Sequence, residues 1–538
     1  MIFLKETILN KLQDNPIVQQ MLQFGNNIGN LLPNEEALCL ASAFMQDKQT
    51  RIVVKKNRYE AQQLYQRLKP LINDTLLFVM EESLRVQAIA SSPEDKQEQL
   101  YVLTQLVKED KPRIIICNTA AFFRYLPDKE LFRNLCFKFE VDQEITMTEL
   151  KQKLNRAGYT KVNYVDRPCT YASRGGIVDV YCLEYDHPIR IEFFDTVIES
   201  IRIFHEETQR TIETIDSVFI NPATDLLFTD DQIEFLQKEI DSELEKQHEK
   251  LIQDDYDFLL DYIEKDKIAL ENYDIDPHLY IYFSYLNANQ FMDYVQGHII
   301  FSSQEEVENG YKKLNEETIS FIQEMVESHQ YLPKYSMFHD VFTFEKEHNI
   351  QMFHDFMDFK NPIFSKIETL EKSDPPLIQV LENLKGKTIY ISLDEEHTKK
   401  VEEALKAYSI HKNIIFIEDD FYEGFVYEDI SVYTQQELFH RPSQIKRYQK
   451  TFKQGQILQN ILELEPNDYV VHEQYGIGQY VGITTRKIKG KTLDYLHVIY
   501  NGGDELFVPL SQFQLVRKYV SKEGVGIKLS QLGSNKWK

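Results

Sequence analysis

One face of a predicted β ribbon carries side chains suited to binding another protein. Between residues 189 and 204 the sequence alternates, so that isoleucines fall on one face and polar or aromatic side chains fall on the other. The second face carries Arg190, Glu192, Phe194, Arg202 and Phe204. Arginine together with aromatic residues is typical of protein-binding surfaces. The pattern also fits burial of the two phenylalanines under a neighbouring helix, and it leaves both alternatives open.

Nucleotide chemistry requires a phosphate-binding loop, and the chain has none of the form G-x-x-x-x-G-K-[ST]. The two Gly-Lys-Thr triplets, at 386–388 and 490–492, have Leu381 and Thr485 where the first glycine belongs. The segment GNNIG at 25–29 is not followed by Lys-Ser or Lys-Thr. We therefore predict that this chain is not an enzyme and that it has no catalytic residue and no bound cofactor.

The cysteines and the overall composition indicate a folded protein of the cytoplasm. The five cysteines are scattered without a CxxC pair, which predicts reduced thiols and no metal site. They are Cys39, Cys117, Cys136, Cys169 and Cys182. The 538 residues suggest about three to five domains. The chain has no run of eighteen apolar residues and no export signal, so we expect no membrane partner.

The charge is unevenly distributed along the chain. The net charge is -26, but the segment from Pro466 to Lys538 has ten Lys and Arg against six Asp and Glu, a balance of about +4. The acidic bulk repels phosphate backbones, so we expect DNA binding to be weak or indirect. The basic stretch from Arg441 to Lys453 fits either a solvated linker helix or a contact with nucleic acid or an acidic partner.

The first 344 residues are predicted to form an α/β domain interrupted by a β-rich insert. Strands and helices alternate in residues 1–135, which predicts a parallel sheet. A run of short strands follows a helix in residues 136–222. Residues 223–344 are mostly helical, and we expect the strand at 298–301 and the helix at 305–328 to complete the first domain.

The remaining residues are predicted to form two smaller domains. Residues 345–440 have the strands and helix of a second small α/β domain, and 441–465 form a basic linker. Residues 466–525 contain short strands joined by glycine turns, which favours a small SH3-like barrel. The predicted fold class is therefore multidomain α/β and β.

Four stretches of the sequence resemble the N-terminal part of the bacterial transcription-repair coupling factor (Mfd) family, in the family's order, and the resemblance covers essentially the whole chain. They are YASRGGIVDVY with PIRIEFFDTVIESIRIFHEETQRTI, VYTQQELFHRPSQIKR, NDYVVHEQYGIGQYVGI with KTLDYLHVIYNGGDELFVPLSQFQLVRKY, and KLSQLGSNKW.

The resemblance implies a division of roles in the first 440 residues. Residues 1–135 and 223–344 are similar to the family's UvrB-like module, a helicase-like domain that has lost its P-loop. The insert is similar to the domain that binds the excinuclease component UvrA, and Arg174, Arg190 and Phe194 fall on its docking positions. The residues around Ile414 to Phe439 match a domain without a well-defined activity in the family.

The C-terminal barrel is similar to the RNA polymerase interacting domain that the family shares with CarD-type regulators, a CarD/Tudor-like fold. To bind RNA polymerase, that domain places an edge strand beside a strand of the polymerase β subunit. Arg486, Lys487 and Phe507 fall on the polymerase-binding positions.

The family continues past LGSNKW into a motor with its own P-loop, and residues 526–538 resemble the start of the linker to it. ATP and Mg²⁺ are therefore expected for that motor only. The resemblance implies an adaptor in transcription-coupled nucleotide excision repair. The alternatives are a CarD-like transcription regulator, or a full ATP-dependent DNA translocase if the motor belongs to the native protein.

Overall fold

A six-stranded parallel sheet organises the first part of the chain, as the alternation of strands and helices predicted. In the computed structural model its spatial order is Ile28–Gly29, Ile350–His354, His298–Phe301, Arg51–Lys55, Ile114–Asn118 and Thr75–Phe78. Ile52 and Val54 pack into one apolar cluster and Val53 into another. Helices therefore cover both faces of the sheet, which explains its continuous apolar strands. The structure describes residues 4–24, 28–29, 31–82, 93–206, 208–273, 277–354, 365–366, 377–417, 421–427, 430–439, 469–472, 476–488, 491–501, 504–509 and 516–518.

Helices surround this sheet, and several of them begin at a polar N-cap residue. Asn57 accepts a hydrogen bond from the Glu60 amide and begins one helix, and Ser303 does the same for the Glu306 amide at another. The helices are Leu4–Lys11, Pro16–Leu22, Pro33–Asp47, Arg58–Leu68, Pro93–Lys108, Thr119–Phe123, Lys129–Asn134, Phe291–Tyr294, Gln304–Glu327 and Val341–Glu347, with a 3₁₀ helix at Pro277–Tyr285. None of the helices in the described part of the chain is long and apolar enough to cross a membrane.

The insert forms a second, mainly antiparallel sheet of six strands. Their spatial order is Thr211–Ile215, Val197–Phe204, Ile189–Phe194, Ile177–Tyr181, Thr170–Arg174 and Thr160–Lys161. The helix Met147–Arg156 precedes it. Phe137–Glu140 pairs with Ser217–Ile220, so the beginning and the end of the insert are tied together at its base. Two helices rich in Asp and Glu follow the insert, Asp230–His248 and Gln253–Asn272.

The expected boundary at residue 345 does not coincide with a change of sheet. That boundary places Ile350–His354 in the second small α/β domain, but the strand pairs in parallel with Ile299–Phe301 in the first sheet. The apolar alternation that predicted a strand fits either sheet, and only the long-range pairing decides between them. The first sheet therefore extends to residue 354.

The second small sheet has five strands. Its spatial order is Ser365–Lys366, Phe425–Tyr427, Ile430–Tyr433, Thr388–Ser392 and Ile414–Ile417. Its helices are Leu377–Glu382, Glu395–Ala407 and Gln435–Phe439. Arg67 of the first domain binds Glu423 at 2.7 Å and lies 4.7 Å from the centre of the Tyr422 ring. This region therefore packs directly against the first domain.

The C-terminal unit is an antiparallel sheet of five strands. The chain divides into two compact units at residues 447 and 448, and this sheet belongs to the second. Its spatial order is Glu505–Pro509, Lys491–Ile499, Gly476–Ile488, Tyr469–His472 and Val516–Lys518. Closure of the sheet into an SH3-like barrel stays a prediction. The predicted linker at 441–465 and the segment 526–538 lie outside the described residues.

Candidate protein-binding sites

Phe194 projects into solvent at the tip of a hairpin. It is 74% exposed, more than any other large apolar side chain in the described residues. The strand Ile189–Phe194 ends here, and Asp195 turns the chain with a positive φ of 56° so that Val197 pairs back across from Phe194. The alternative that Phe194 packs under a helix is therefore wrong.

Phe204, on the same face of the ribbon, has the opposite environment. Its side chain is only 1% exposed. The guanidinium of Arg190 lies 4.2 Å from the centre of its ring, a cation–π contact. The sequence pattern could not separate the two phenylalanines, but in the structure Phe194 is exposed and Phe204 is buried.

Arg190 is bound by its own domain. Its Nε and Nη2 donate to the two carboxylate oxygens of Asp179 at 2.7 and 2.9 Å, and Nη2 also donates to Gln209 at 2.7 Å. Asp179 is the residue directly opposite in the adjacent strand and is itself buried. The hydrogen bond to Asp179 raises the pKa of Arg190. Its side chain is only 15% exposed, so much of its donor capacity is already used.

Arg174 is the more available arginine. Its side chain is 59% exposed, and its Nη2 lies 3.5 Å from Asp179 and 3.3 Å from Gln209. The structure therefore brings Arg174 and Arg190 together around Asp179. Arg174 ends its strand at a two-residue turn in which Gly175 has a φ of +54°, a conformation that favours glycine.

The third arginine of this face is neutralised internally. Arg202 forms an ion pair with Glu192, and the Ser200 hydroxyl donates to the same carboxylate at 2.9 Å. The surviving positive charge therefore lies mainly on Arg174. Phe194 lies four positions beyond Arg190 on the same face, a distance of about 13 Å along the strand.

Two residues of this arrangement were not identified from the sequence. Asp179 lies in the motif RGGIVDVY, but its pairing with Arg190 depends on the strand register. Gln209 lies in a connection between strands, and no local pattern marks its contact with the two arginines. We call Arg174, Asp179, Arg190, Phe194 and Gln209 the arginine–phenylalanine surface.

In the C-terminal sheet, the segment carrying Arg486 and Lys487 has a strand partner on only one side among the described residues. Gly476–Gln479 pairs with Tyr469–His472, but the part from Thr484 to Ile488 pairs only with Lys491–Tyr495 among the described strands. The structure describes only the backbone of Arg486 and Lys487. The strand Gly476–Ile488 is thus central at its beginning, and its end, which carries Arg486 and Lys487, is an edge of the described sheet.

Phe507 lies on the other side of the same sheet. Its strand, Glu505–Pro509, is an edge strand, and its ring stacks on His497 with centroids 4.5 Å apart. The strand Lys491–Ile499 separates it from Arg486. The three predicted polymerase-binding residues therefore do not lie along one edge.

The carboxyl edge of the parallel sheet, where nucleotides often bind in such folds, opens into a cavity of about 500 Å³. Its lining includes Glu81, Glu82, Glu306 and Glu317. Lys56 is paired with Glu306, which with Glu60 raises its pKa. Because carboxylates outnumber cations, phosphates are poorly accommodated. In the described residues no group of three His, Cys, Asp or Glu side chains is arranged to hold a metal ion.

Comparisons with known proteins identify two domains within this chain. Residues 137–226 match the model of the UvrB interaction domain, and residues 464–520 match that of the CarD-like/TRCF RID domain. The transcription-repair-coupling factor of Bacillus subtilis is 28% identical over 90% of this chain and 44% of its own length. Those of Staphylococcus haemolyticus and Staphylococcus epidermidis are both 27% identical, over 95% and 99% of this chain.

The chain spans about half the length of the curated relatives it matches. The arginine–phenylalanine surface falls within the first matched domain, and the open edge at Arg486 falls within the second. Over nearly its whole length, the chain is therefore similar to the N-terminal portion of transcription-repair-coupling factors and carries a UvrB interaction domain and a CarD-like/TRCF RID domain.

Proposed function

We propose that this chain is an adaptor for transcription-coupled nucleotide excision repair, which binds RNA polymerase through its C-terminal domain and UvrA through its insert. The observation that carries the proposal is the exposure of Phe194, together with that of Arg174, within the residues that match the UvrB interaction domain. Exposing a phenylalanine to this extent costs solvation free energy unless a partner covers it.

The arginine–phenylalanine surface suits a partner with an apolar pocket next to a carboxylate. Phe194 would enter the pocket, where a desolvated aromatic contributes about 2 kcal/mol or more. Arg174 retains N–H groups for the carboxylate, since its contacts with Asp179 and Gln209 are long. Arg190 would have a structural role in this surface, because its guanidinium is already bound by Asp179 and packed on Phe204.

The polymerase contact in this proposal is strand addition at the segment from Thr484 to Ile488. An open strand edge offers its backbone N–H and C=O groups to a strand of the polymerase β subunit. The C-terminal residues from Pro466 have a positive charge balance, unlike the rest of the chain, which favours an acidic partner surface. Phe507, on the opposite edge, would contribute through a separate contact.

The proposal gives this chain no cofactor and only weak or indirect DNA binding. ATP-driven translocation and its Mg²⁺ would belong to the part of the relatives that the chain does not cover. A CarD-like regulator is not favoured, because the relatives matched over most of the chain are coupling factors.

A pull-down from bacterial lysate tests the proposal when polymerase β and UvrA are scored separately. The adaptor should retain both proteins. A stand-alone regulator would retain polymerase without UvrA, and retention of neither protein would exclude the adaptor role. An ATPase assay with and without DNA should stay flat.

Substituting Arg486→Glu should abolish retention of polymerase and leave UvrA binding unchanged. The reversed charge would oppose an acidic partner along the open strand edge. Arg202→Glu in the insert is the matched charge reversal that should leave polymerase binding intact. Loss of both partners in Arg486→Glu would instead indicate a folding defect, and unchanged polymerase retention would remove Arg486 from the interface.

A further inference from the structure

Gln209 connects the two arginines of the arginine–phenylalanine surface. Its side-chain oxygen accepts from Nη2 of Arg190 at 2.7 Å and from Nη2 of Arg174 at 3.3 Å. Its amide group donates to the Glu206 carbonyl at 2.8 Å. The side chain is thus held at both ends, with its acceptor directed at two cations.

The backbone around Gln209 is also fixed. The residue has a positive φ of 57°, and its N–H donates to the His205 carbonyl at 2.8 Å. The His205 N–H in turn donates to the Arg210 carbonyl at 2.9 Å. The Glu206 carboxylate lies 3.0 Å from Nδ1 of His187 on the neighbouring connection. These hydrogen bonds favour one position of Gln209 on the surface.

The two arginines depend on Gln209 to different degrees. Besides its bond to Gln209, Arg190 donates two short hydrogen bonds to Asp179. Among the described residues, Arg174 contacts Asp179 through a 3.5 Å ion pair and Gln209 through its one hydrogen bond, and its side chain is mostly exposed. An exposed arginine loses several rotamers when a partner fixes it, which weakens binding. The hydrogen bond to Gln209 already holds one end of the Arg174 guanidinium in the free chain.

We infer that Gln209 is a positioning residue of the docking surface, which holds the Arg174 guanidinium ready to receive a carboxylate of the partner. This inference rests on the proposed UvrA-binding function. In this inference Arg174 contacts the partner's carboxylate, and Gln209 acts by orienting Arg174. Arg190 has a structural role, because it binds Asp179 and Gln209 within the insert.

A double-mutant cycle with purified UvrA tests the inference. Gln209→Met keeps the side-chain length and removes the acceptor. It should weaken UvrA binding about threefold to tenfold, the effect of freeing one long side chain. In an Arg174→Ala background the same substitution should change the dissociation constant less than about twofold, because the residue it positions is gone. Gln209→Met also removes the bonds to Arg190 and to the Glu206 carbonyl, so the melting temperature should fall slightly and by a similar amount in both backgrounds.

The cycle separates this inference from the function on which it rests. If Arg174→Ala and Phe194→Ala weaken binding but Gln209→Met does not, the surface binds UvrA and the positioning role is wrong. Equal losses for Gln209→Met in both backgrounds would also overturn it, since they would reflect a direct contact or a general disturbance of the fold. If neither Arg174→Ala nor Phe194→Ala alters UvrA binding, the proposed function of the surface fails.

Discussion

The substitution Phe194→Ala is expected to weaken UvrA binding by about 30-fold or more and to leave the melting temperature nearly unchanged. A desolvated aromatic at the centre of an interface contributes about 2 kcal/mol or more, which corresponds to that factor. Within the free chain the ring is 74% exposed, so its removal sacrifices little packing. Titration calorimetry with UvrA and a thermal melt of each variant measure the two effects.

Phe204→Ala is the matched control, because it removes the same ring from the same ribbon at a buried position. It should destabilise the insert by about 3 kcal/mol, since a buried phenylalanine leaves a cavity. A large fall in the melting temperature for Phe194→Ala would mean that this ring packs against the fold. Unchanged UvrA affinity in a folded Phe194→Ala variant would exclude Phe194 from the interface.

Replacing Arg124 with alanine is expected to cost about 3–5 kcal/mol of stability. Arg124 and Asp225 form a buried ion pair at 2.7 Å, and Arg124 also donates to Gln99 at 2.6 Å. The substitution leaves the Asp225 carboxylate buried without its counter-charge. The pair connects the first domain to the segment just after the insert, so urea unfolding followed by far-ultraviolet circular dichroism should show a lower midpoint.

Arg133→Ala provides the comparison for Arg124→Ala. Arg133 pairs with Glu130 three residues away on an exposed helix surface. Such pairs contribute about 0–1 kcal/mol, so the midpoint should hardly move. A similar loss of stability in the two variants would show that burial does not determine how much the Arg124 ion pair contributes to stability.

The sequence identified the faces of the insert's ribbon correctly but could not separate Phe194 from Phe204. Alternation assigns both rings to the face opposite the isoleucines. Their environments differ because Phe194 ends a strand at a hairpin tip, whereas the guanidinium of Arg190 lies over Phe204. Burial on this face depends on what folds across it, and that information lies in tertiary contacts.

The residues that bind Arg174 and Arg190 within the insert could not be predicted from local sequence patterns either. Arg174 and Arg190 were identified through their family positions, yet Asp179 meets Arg190 only because their strands pair in one register. Gln209 reaches both arginines across 35 and 19 residues of sequence. The sequence could therefore name candidate contacts and could not show that Arg190 is largely occupied within its own domain.

The parallel sheet was predicted from strand and helix alternation, while its full extent was not. Strand type follows from local apolar runs, as at Arg51–Lys55 and Ile114–Asn118. The membership of Ile350–His354 depends on pairing with a strand about 50 residues earlier. Local composition at residue 345 carries no trace of that pairing.

The position of the insert has a consequence for synthesis on the ribosome. Arg51–Lys55 must pair with His298–Phe301, about 250 residues later in the chain. At about 5–20 residues per second, roughly 12–50 s pass before the second strand is made. During that time an apolar strand edge of the nascent chain is open to aggregation and to chaperones. The insert's strands pair with strands that are near in sequence. Its sheet can therefore fold before the last strands of the surrounding domain have been synthesised.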